Sequence, residues 1–445
     1  MAKASSSSRL QSCTPEEAAA QLRPVDRLGI PLGPGQPVSF LHALGERKDW
    51  EDLGVFGALL VGLFSVFAHP GVSMRSGFFG PAERALRAAG HNVAFVPADF
   101  RRFQEIGERF NPRVMATAAA PPDADGRFSL SLHAGATVSQ LQEAGRDPNR
   151  LLVVETSPSF PRTLGLGDEH PHSLSMDEVD VWIESDAPAP VLDEAPPGDV
   201  ELAIASHIAP YIEPGATLQT GIGGVPNAVV ELLASEGGGD YGVHSEMFTT
   251  GLMRLHEAGK VSNQKGVFDG YSMTTFAMGS RELYDWLDGQ EAVRFLPVNV
   301  INNPSIIARN RDMISINGAL SVDLFGQVVA DSIDGTQHSG IGGHEDFLAG
   351  AGLIADGRSL LCLPSTFKSD GAEASRIVSK LSSGSIVTSP RHQVDVVVSE
   401  FGAAELAGRT VGERAEALAG IAHPDHRESL LKAAHEIAQL GVIQG

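Results

Sequence analysis

The chain alternates between short β-type apolar runs and longer segments with helical periodicity. In the first half, helical patterns occupy residues 14–23, 38–46 and 81–89, and Thr14 with Glu17 forms a capping-box signature. Strand-type runs are predicted at residues 56–63, 92–97, 113–119, 128–132 and 151–155. Because strands and helices alternate, the pattern predicts an α/β fold with mostly parallel sheets.

The second half repeats this alternation. Helices are predicted at residues 200–212, 247–258, 280–288, 304–309, 344–350, 411–421 and 426–441. Strands are predicted near residues 216–220, 241–245, 271–276, 293–297, 313–317, 327–330, 359–363, 385–388 and 393–398. Many of these strands end in glycine-rich loops. In open α/β sheets such loops form ligand sites at the carboxyl ends of the strands.

A chain of 445 residues is too long for one ordinary core, so we expect more than one domain. A proline-rich, acidic stretch reads as a linker. The predicted organisation is a disordered tail at 1–13, an N-terminal α/β domain at 14–186, a linker at 187–199 and a C-terminal α/β domain at 200–445. These are two open α/β domains, and the second carries Glu246.

Charge and cysteine content narrow the function classes. The net charge is -22, and phosphate backbones require clustered positive charge, so we expect no nucleic-acid partner. Two cysteines exclude a disulfide framework and a four-cysteine metal site. The apolar runs are shorter than the roughly 20 residues that span a bilayer, so we expect no membrane association. The serine-rich N-terminus lacks an apolar segment, which favours a cytoplasmic protein over a secreted one.

The stretch from Thr217 to Thr250 holds the first candidate chemistry. A β-type run ends in a turn that is followed by a helical segment, and the candidate ligand contacts of this turn are Gly221, Ile222, Gly223 and Gly224. Such a turn can aim backbone N–H groups at an anion. A nicotinamide site is disfavoured because Pro226 occupies the last glycine position of the G-x-G-x-x-G pattern. A purely structural turn remains an alternative.

Glu246 is the candidate nucleophile of the same stretch. It follows an apolar strand and the pair His244-Ser245, and a carboxylate half-buried at such a place is desolvated and more reactive. A solvated surface role for Glu246 is the alternative. His244 is interpreted as either a structural histidine or a base.

Several further residues are weaker candidates. The second glycine cluster, with Gly340, Gly342 and Gly343, opens a helix and is either an oxyanion-binding loop or a tight turn. His338, His344 and Glu345 lack a recognised metal-ligand spacing, so we predict no metal site.

Basic, amide and aromatic groups complete the candidates. Lys368, Arg376 and Lys380 form a small basic group that is either solvated or in contact with an anionic substrate. Asn317 is expected to bind a ligand amide or cap a loop. The Arg75–Pro81 loop is expected either to shape an acyl pocket or to pack in the core.

Taken together, these blocks resemble the acetyl-CoA hydrolase/transferase family, close to its 4-hydroxybutyrate and butyryl-CoA:acetate CoA-transferases. The resemblance is strongest between about residues 217 and 424. It is carried by ordered blocks that include TLQTGIGGVPNAV, GVHSEMFTTGLMRL, PVNVINNPSIIARN, MISINGALSVDLFG and HSGIGGHEDFLAGA. His344 departs from the glutamine that close relatives usually carry.

The resemblance implies two α/β domains of the CoA-transferase type and a ping-pong mechanism through a glutamyl-CoA thioester on Glu246. It implies that Gly221–Val225 contacts CoA and that the Gly340–Gly343 loop lies against the thioester, with Asn317 as a weaker contact. Lys368 is predicted to contact CoA from its place in the basic group. The implied substrates are a short acyl-CoA and a small carboxylate such as acetate. Coenzyme A would be a cosubstrate, with no tightly bound cofactor, and a homodimer or homotetramer is expected.

Two alternatives to CoA transfer remain at this point. One is acyl-CoA hydrolysis, in which water resolves the intermediate. The other is a non-catalytic CoA-binding or assembly subunit.

Overall fold

The computed structural model describes residues 10–193, 195–235, 238–369 and 371–440. Residues 1–9 of the predicted disordered tail lie outside the described residues. The rest of that prediction is wrong at Ser12–Cys13, which forms a short strand paired with Trp182 and Ile183.

The part of the chain up to residue 193 contains a first series of elements. Its strands are β1 Ser12–Cys13, β2 Val25–Leu32, β3 Asp52–Ala58, β4 Val72–Ser76, β5 Val93–Phe95, β6 Val114–Ala119, β7 Arg127–Ser129, β8 Leu151–Thr156, β9 Ser173–Ser175 and β10 Val181–Glu184. Its α-helices are α1 Pro15–Ala19, α2 Val38–Glu46, α3 Pro81–Ala88, α4 Phe103–Phe110 and α5 Val138–Arg146.

The part of the chain from residue 195 onward contains the remaining elements. Its strands are β11 Thr217–Thr220, β12 Gly242–Val243, β13 Met247–Phe248, β14 Ser272–Thr274, β15 Phe276–Ala277, β16 Val293–Phe295, β17 Met313–Gly318, β18 Ser321–Asp323, β19 Val328–Val329, β20 Ser332–Ile333, β21 Thr336–Gln337, β22 Arg358–Cys362, β23 Thr366–Ser369, β24 Ala372–Ser375, β25 Ile377–Val378, β26 Val396–Ser399 and β27 Gly402–Glu405. Its α-helices are α6 Asp199–Ile208, α7 Gly224–Ser235, α8 Thr250–Glu257, α9 Arg281–Leu287, α10 Val298–Ile301, α11 Pro304–Ile307, α12 His344–Ala351, α13 Val411–Gly420 and α14 Pro424–Leu440.

The chain divides into two compact units that interleave along the sequence. The first contains the residues up to Asp193 together with Glu246–Thr250 and Met273–Asn302, and the second contains the rest. The first unit therefore ends inside the predicted linker 187–199. Glu246 was expected in the C-terminal domain 200–445, and the structure instead assigns it to the first unit.

The first unit is built on an eight-stranded parallel sheet in the order β1-β10-β8-β6-β2-β3-β4-β5. All six residues of the central strand β6 are buried, as expected for a parallel strand covered on both faces. One apolar cluster joins the sheet to α1, α2 and α3. A second, aromatic cluster includes Phe56, Phe103 and Phe110 and takes in Phe276 and Val298 from the returning segment. Burial of these two side chains explains why that segment packs with the first unit.

The second unit is built on a six-stranded sheet in the order β12-β11-β17-β22-β26-β27. Its pairs are parallel except for the last, β26 with β27. Val397, Leu418 and Leu430 belong to the cluster that packs α13 and α14 against this sheet. The predicted α/β fold with mostly parallel sheets is confirmed in both units.

Two further expectations have different outcomes. The predicted strand at residues 385–388 is wrong, because this segment is irregular and only Ser389 forms an isolated bridge, with Val328. A search of the described helices finds none with the length and apolarity needed to cross a membrane.

Candidate active site

The backbone of Glu246 is held firmly at the junction between β12 and β13. Its carbonyl oxygen accepts hydrogen bonds from the N–H groups of Thr275 and Phe276, at 3.0 and 3.2 Å, and from the hydroxyl of Thr274 at 3.0 Å. Met247 pairs with Phe276 in a short parallel ladder. The side chain of Glu246 is half-buried. A fixed backbone therefore presents a partly desolvated carboxylate.

Asn302 positions that carboxylate. Its side chain is fully buried at the carboxyl end of α10, and its Nδ2 donates to Glu246 Oε2 at 2.6 Å. An amide N–H to a carboxylate is a charge-assisted hydrogen bond, which is stronger than a bond between neutral groups. The contact restricts the rotamer of Glu246 and stabilises its charged form.

The segment Leu132–Gly135 connects the supports of both residues. Ala134 N donates to the carbonyl of Thr275 at 2.6 Å, and Gly135 N donates to the hydroxyl of the same threonine at 3.0 Å. The carbonyl of Gly135 accepts from Val298 N at 2.9 Å, in the first turn of α10. The backbones beside Glu246 and Asn302 are thereby tied to one scaffold.

His133 belongs to this scaffold and is buried. Its Nε2 lies 2.8 Å from the hydroxyl of Thr117, which itself donates to the carbonyl of Ala118, so Nε2 is the protonated nitrogen. Burial lowers the pKa of His133 to about 3, and the ring is therefore neutral near pH 7. We conclude that His133 supports the site and does not carry protons there.

The Gly221–Val225 turn lies at the carboxyl end of β11, in the second unit. Ile222 and Gly223 are exposed, and Gly223 has φ +121, a conformation that favours glycine. A Cβ at Gly221 or Gly223 would meet no described atom within 4 Å, whereas one at Gly224 would lie 2.7 Å from Glu201 Cγ. Two glycines thus leave the backbone open to close approach, and the third packs against α6.

Asn317 lies on β17, the strand next to β11. Its Nδ2 donates to Ser315 Oγ at 2.7 Å and to Gln219 Oε1 at 3.1 Å. Because these partners lie on adjacent strands, the amide is part of a polar network at the carboxyl edge of the sheet. The structure therefore brings Asn317 and the Gly221–Val225 turn to neighbouring strand ends.

The Gly340–Gly343 loop leads into α12, as predicted. Gly342 has φ +54 and Gly343 is the N-cap residue. His344 is buried, and its Nε2 lies 2.8 Å from Ser389 Oγ, which donates to Glu345 Oε1. Burial lowers the pKa of His344 to about 4. His344 therefore anchors the base of the loop as a neutral hydrogen-bond donor.

His244 and Arg376 have structural surroundings, whereas Lys368 is exposed. His244 is fully buried and lies edge-on to Phe347, with ring centroids 6.2 Å apart. Arg376 donates to the carbonyls of Leu320 and Thr366. Lys368 is exposed on the hairpin formed by β23 and β24.

Comparison with known proteins decides the family. The model of the acetyl-CoA hydrolase/transferase C-terminal domain matches residues 279–434. The chain is 35% identical to a 4-hydroxybutyrate coenzyme A transferase of Clostridium kluyveri, over 94% of this chain and 96% of the relative. The chain belongs to the acetyl-CoA hydrolase/transferase family.

Other relatives agree with this assignment. A butyryl-CoA:acetate CoA-transferase of Anaerostipes caccae is 38% identical over 71% of this chain and 70% of its own. The crystal structure of RipA from Yersinia pestis superposes with a TM-score of 0.87 at 30% identity, covering 96% of this chain and 98% of RipA. An acetyl-CoA hydrolase of Candida albicans is 28% identical over 58% of this chain and 49% of its own length. The protein is an enzyme of the CoA-transferase type.

Within this family framework, the packing interpretation suits the Arg75–Pro81 loop. Phe79 is buried and packs edge-on against Phe95, with ring centroids 5.5 Å apart. A Cβ at Gly77 would lie 2.5 Å from the ring of Phe103. The loop is therefore a core element at these positions.

Residues with a geometry that could hold a metal ion lie elsewhere than the histidines considered from the sequence. Among the described residues, the group whose ligand atoms lie close enough to hold an ion is Glu373, His423 and Asp425, on the surface of the second unit. His338, His344 and Glu345 do not form such a group there. The absence of a metal requirement stays a prediction.

Asn302 and His133 were not identified from the sequence. Asn302 lies in the run INNPS, where asparagine before Asn-Pro is typical of a helix end or turn. His133 lies among small and apolar residues, which is typical of a structural histidine. Only the folding of residues 273–302 onto the first unit places Asn302 beside Glu246.

Proposed function

We propose that this enzyme transfers CoA from a short-chain acyl-CoA to a small carboxylate, with Glu246 as the nucleophile. The observation that carries the proposal is the half-buried Glu246 carboxylate with its 2.6 Å hydrogen bond from Asn302. A positioned carboxylate, itself already an anion, needs no base to attack a thioester. The names of the relatives support acyl-CoA and carboxylate substrates.

The reaction proceeds in balanced steps. A Glu246 carboxylate oxygen attacks the thioester carbonyl, the C–S bond breaks, and CoA thiolate leaves behind an acyl-glutamyl anhydride. The thiolate then attacks the glutamyl carbonyl, the anhydride C–O bond breaks, and the first carboxylate departs. An incoming carboxylate reverses both steps on the glutamyl-CoA thioester and leaves as the new acyl-CoA. No proton is gained or lost overall.

Groups of the chain have separate roles in this scheme. Asn302 Nδ2 orients Glu246 before attack. Gly221–Val225 and the Gly340–Gly343 loop supply backbone N–H donors for CoA and for the oxyanions, with Asn317 and Lys368 as secondary CoA contacts. Coenzyme A is a cosubstrate, and no tightly bound cofactor or metal takes part. We further propose a cytoplasmic homodimer or homotetramer.

Trapping of the covalent intermediate tests the proposal. The enzyme is incubated with acetyl-CoA and treated with sodium borohydride, which reduces a glutamyl thioester to an alcohol. Peptide mass mapping should place the change at Glu246, within residues 243–254. Glu246→Gln should lose both the mark and the activity. Glu257→Gln, an exposed carboxylate at the end of α8, is the matched control and should retain both. A mark at another residue would overturn the assignment of Glu246.

Hydrolysis is a second candidate because some relatives are named acetyl-CoA hydrolases. The two reactions differ in whether water or a carboxylate resolves the covalent intermediate. Loss of butyryl-CoA should be measured with and without acetate, together with formation of acetyl-CoA. Transfer predicts acetate-dependent loss with stoichiometric acetyl-CoA. Equal rates without any new acyl-CoA would favour hydrolysis.

A further inference from the structure

A groove of about 390 Å³ lies on the first unit at the amino ends of β2, β3 and β4. Arg27, Arg75 and Arg113 line it, together with Ser73 and Asp52. Three guanidinium groups at one place are unexpected in a chain with a net charge of -22. The groove takes no part in the chemistry of Glu246.

Strand register builds the groove. Arg27 is opposite Gly54, and Gly54 is opposite Ser73, on three adjacent parallel strands. Directly paired residues project from the same face of a sheet, so these positions form one row. Gly54 has no side chain and Ser73 has a short one, so the bottom of the groove between the arginines is not filled. Phe110 closes one side, because a Cβ at Gly54 would lie 3.3 Å from Phe110 Cζ.

The arginines differ in their charge partners. Arg113 forms a two-pronged ion pair with the buried carboxylate of Asp26, at 2.6 and 2.9 Å. Arg27 and Arg75 are exposed, and neither guanidinium group forms an ion pair with a carboxylate in the described part of the chain. Their guanidinium carbons lie 5.3 and 5.7 Å from the centre of the Phe110 ring. The ring holds both cations near one spot without neutralising them.

The groove is remote from the scaffold of Glu246 within the same unit. β2 begins in the groove at Val25 and ends at Leu32, directly before the turn Gly33–Gly35. A Cβ at Gly35 would lie 2.4 Å from the His133 ring, which places this turn against that scaffold. Eight strand residues at about 3.3 Å each separate the two places by roughly 25 Å.

We propose that this groove is a binding site for a compact phosphate anion, such as pyrophosphate or the diphosphate of a small metabolite, separate from the CoA site. Guanidinium forks bind phosphate oxygens in pairs, and Arg27 and Arg75 have such forks available, with the Ser73 hydroxyl on the floor. The volume exceeds that of a single phosphate. The exposed carboxylate of Asp52 at the rim opposes anions, so binding must come from the arginines that face it. This inference does not depend on the proposed function.

Calorimetric titration of the full-length enzyme with sodium pyrophosphate at low ionic strength tests the site. We expect saturable one-to-one binding that Arg27→Gln and Arg75→Gln each weaken by about tenfold, the cost of one charge-assisted contact. Asp52→Asn should tighten binding. Arg409→Gln, at an exposed arginine of the second unit, is the control of equal charge change and should leave affinity unaltered. Thermal melting verifies that every variant is folded.

Three outcomes would overturn the inference. The first is a failure of specific binding: either pyrophosphate does not bind the wild type saturably, or Arg409→Gln weakens binding as much as the groove variants do. The latter result would indicate adsorption through net charge only. The second is displacement of pyrophosphate by saturating CoA, which would merge the groove with the CoA site. The third is tighter binding of citrate than of pyrophosphate, which would replace phosphate by carboxylate recognition. Retention of pyrophosphate binding in Glu246→Gln distinguishes this test from that of the proposed function.

Discussion

The hydrogen bond from Asn302 to Glu246 orients the carboxylate. Asn302→Ala removes the 2.6 Å donor from Glu246 Oε2. Loss of a hydrogen bond to a charged group costs about 1.5–3 kcal/mol, so we expect kcat to fall by about 10- to 150-fold. The KM for acyl-CoA should change little, because the contact acts on Glu246, the proposed nucleophile. Steady-state kinetics provides both values.

Asn302→Asp separates positioning from packing. Aspartate has nearly the volume of asparagine but places a second carboxylate against Glu246, so activity should fall at least as far as in the alanine variant. A melting temperature close to the wild type would show that the site is intact. Wild-type kcat in both variants would remove Asn302 from the mechanism.

The sequence indicates Glu246 as a candidate nucleophile but does not indicate Asn302, and the reason is physical. Glu246 lies in a distinctive ordered block, and its neighbours along the chain made it recognisable. Asn302 acts across a gap of 56 positions, and its burial arises because Phe276 and Val298 pack into an aromatic cluster with Phe56. Local pattern contains no information on such a long-range pairing.

At the scale of elements, the turn after β11 offers a test of ligand approach. A Cβ at Gly221 meets open space, and φ at this residue is not in the left-handed region. Gly221→Ala should therefore leave thermal stability unchanged. The added methyl group should keep CoA from the backbone and raise the KM for acyl-CoA by up to about tenfold, equivalent to 1.4 kcal/mol. Unchanged KM would show that this turn does not contact CoA.

In the turn after β2, a glycine-to-alanine substitution should instead reduce the stability of the fold. A Cβ at Gly35 would lie 2.4 Å from His133 Cδ2 and 2.6 Å from Pro31 Cβ. The His133 ring is buried and bonded to Thr117, so it has little room to move. Gly35→Ala should destabilise the fold by about 1–3 kcal/mol, as for overpacking. Urea unfolding measures the change, and Gly221→Ala is the matched control. Equal midpoints for the two variants would contradict the close packing of Gly35 against His133.

Helices with a clear helical periodicity in the sequence are confirmed by the structure. The segments 38–46 and 81–89 are α2 and α3, and the helix after the second glycine cluster is α12. The segment 385–388 failed because its apolar residues, Ile386 and Val387, are exposed in the structure. The segment 247–258 was predicted as one helix, but its first residues form β13. Pairing of Met247 with Phe276 overrides the local helical pattern there.

At the scale of the molecule, the two units are interleaved along the sequence, and domain limits predicted as continuous segments do not include this interleaving. The chain first passes from one unit to the other at a proline-rich stretch, and the continuous part of the first unit ends there, at Asp193. The later crossings, at Glu246–Thr250 and Met273–Asn302, have no compositional mark. They follow from burial of apolar side chains far apart in sequence. The predicted domain limits 14–186 and 200–445 therefore place Glu246 differently from the contact-based units.

Buried neutral histidines in both units predict sensitivity to acid. Burial lowers the pKa of His133 to about 3 and those of His172, His256 and His344 to about 4. Unfolding exposes these rings, which then regain a pKa near 6.5 and bind protons. The free energy of unfolding therefore contains the full contribution of each neutral ring above pH 6.5. This contribution is lost progressively as pH falls toward 4. Each histidine should cost about 2 kcal/mol between pH 6.5 and 5.

His344→Gln isolates one of these contributions. The glutamine amide can still donate to Ser389 Oγ but does not titrate, so the denaturation midpoint of this variant should fall less than that of the wild type between pH 6.5 and 5. His392→Gln, at an exposed position, should follow the wild-type curve. Urea unfolding at both pH values supplies the comparison. If all three proteins lose stability equally, protonation of His344 does not contribute, and carboxylate titration must account for the acid response.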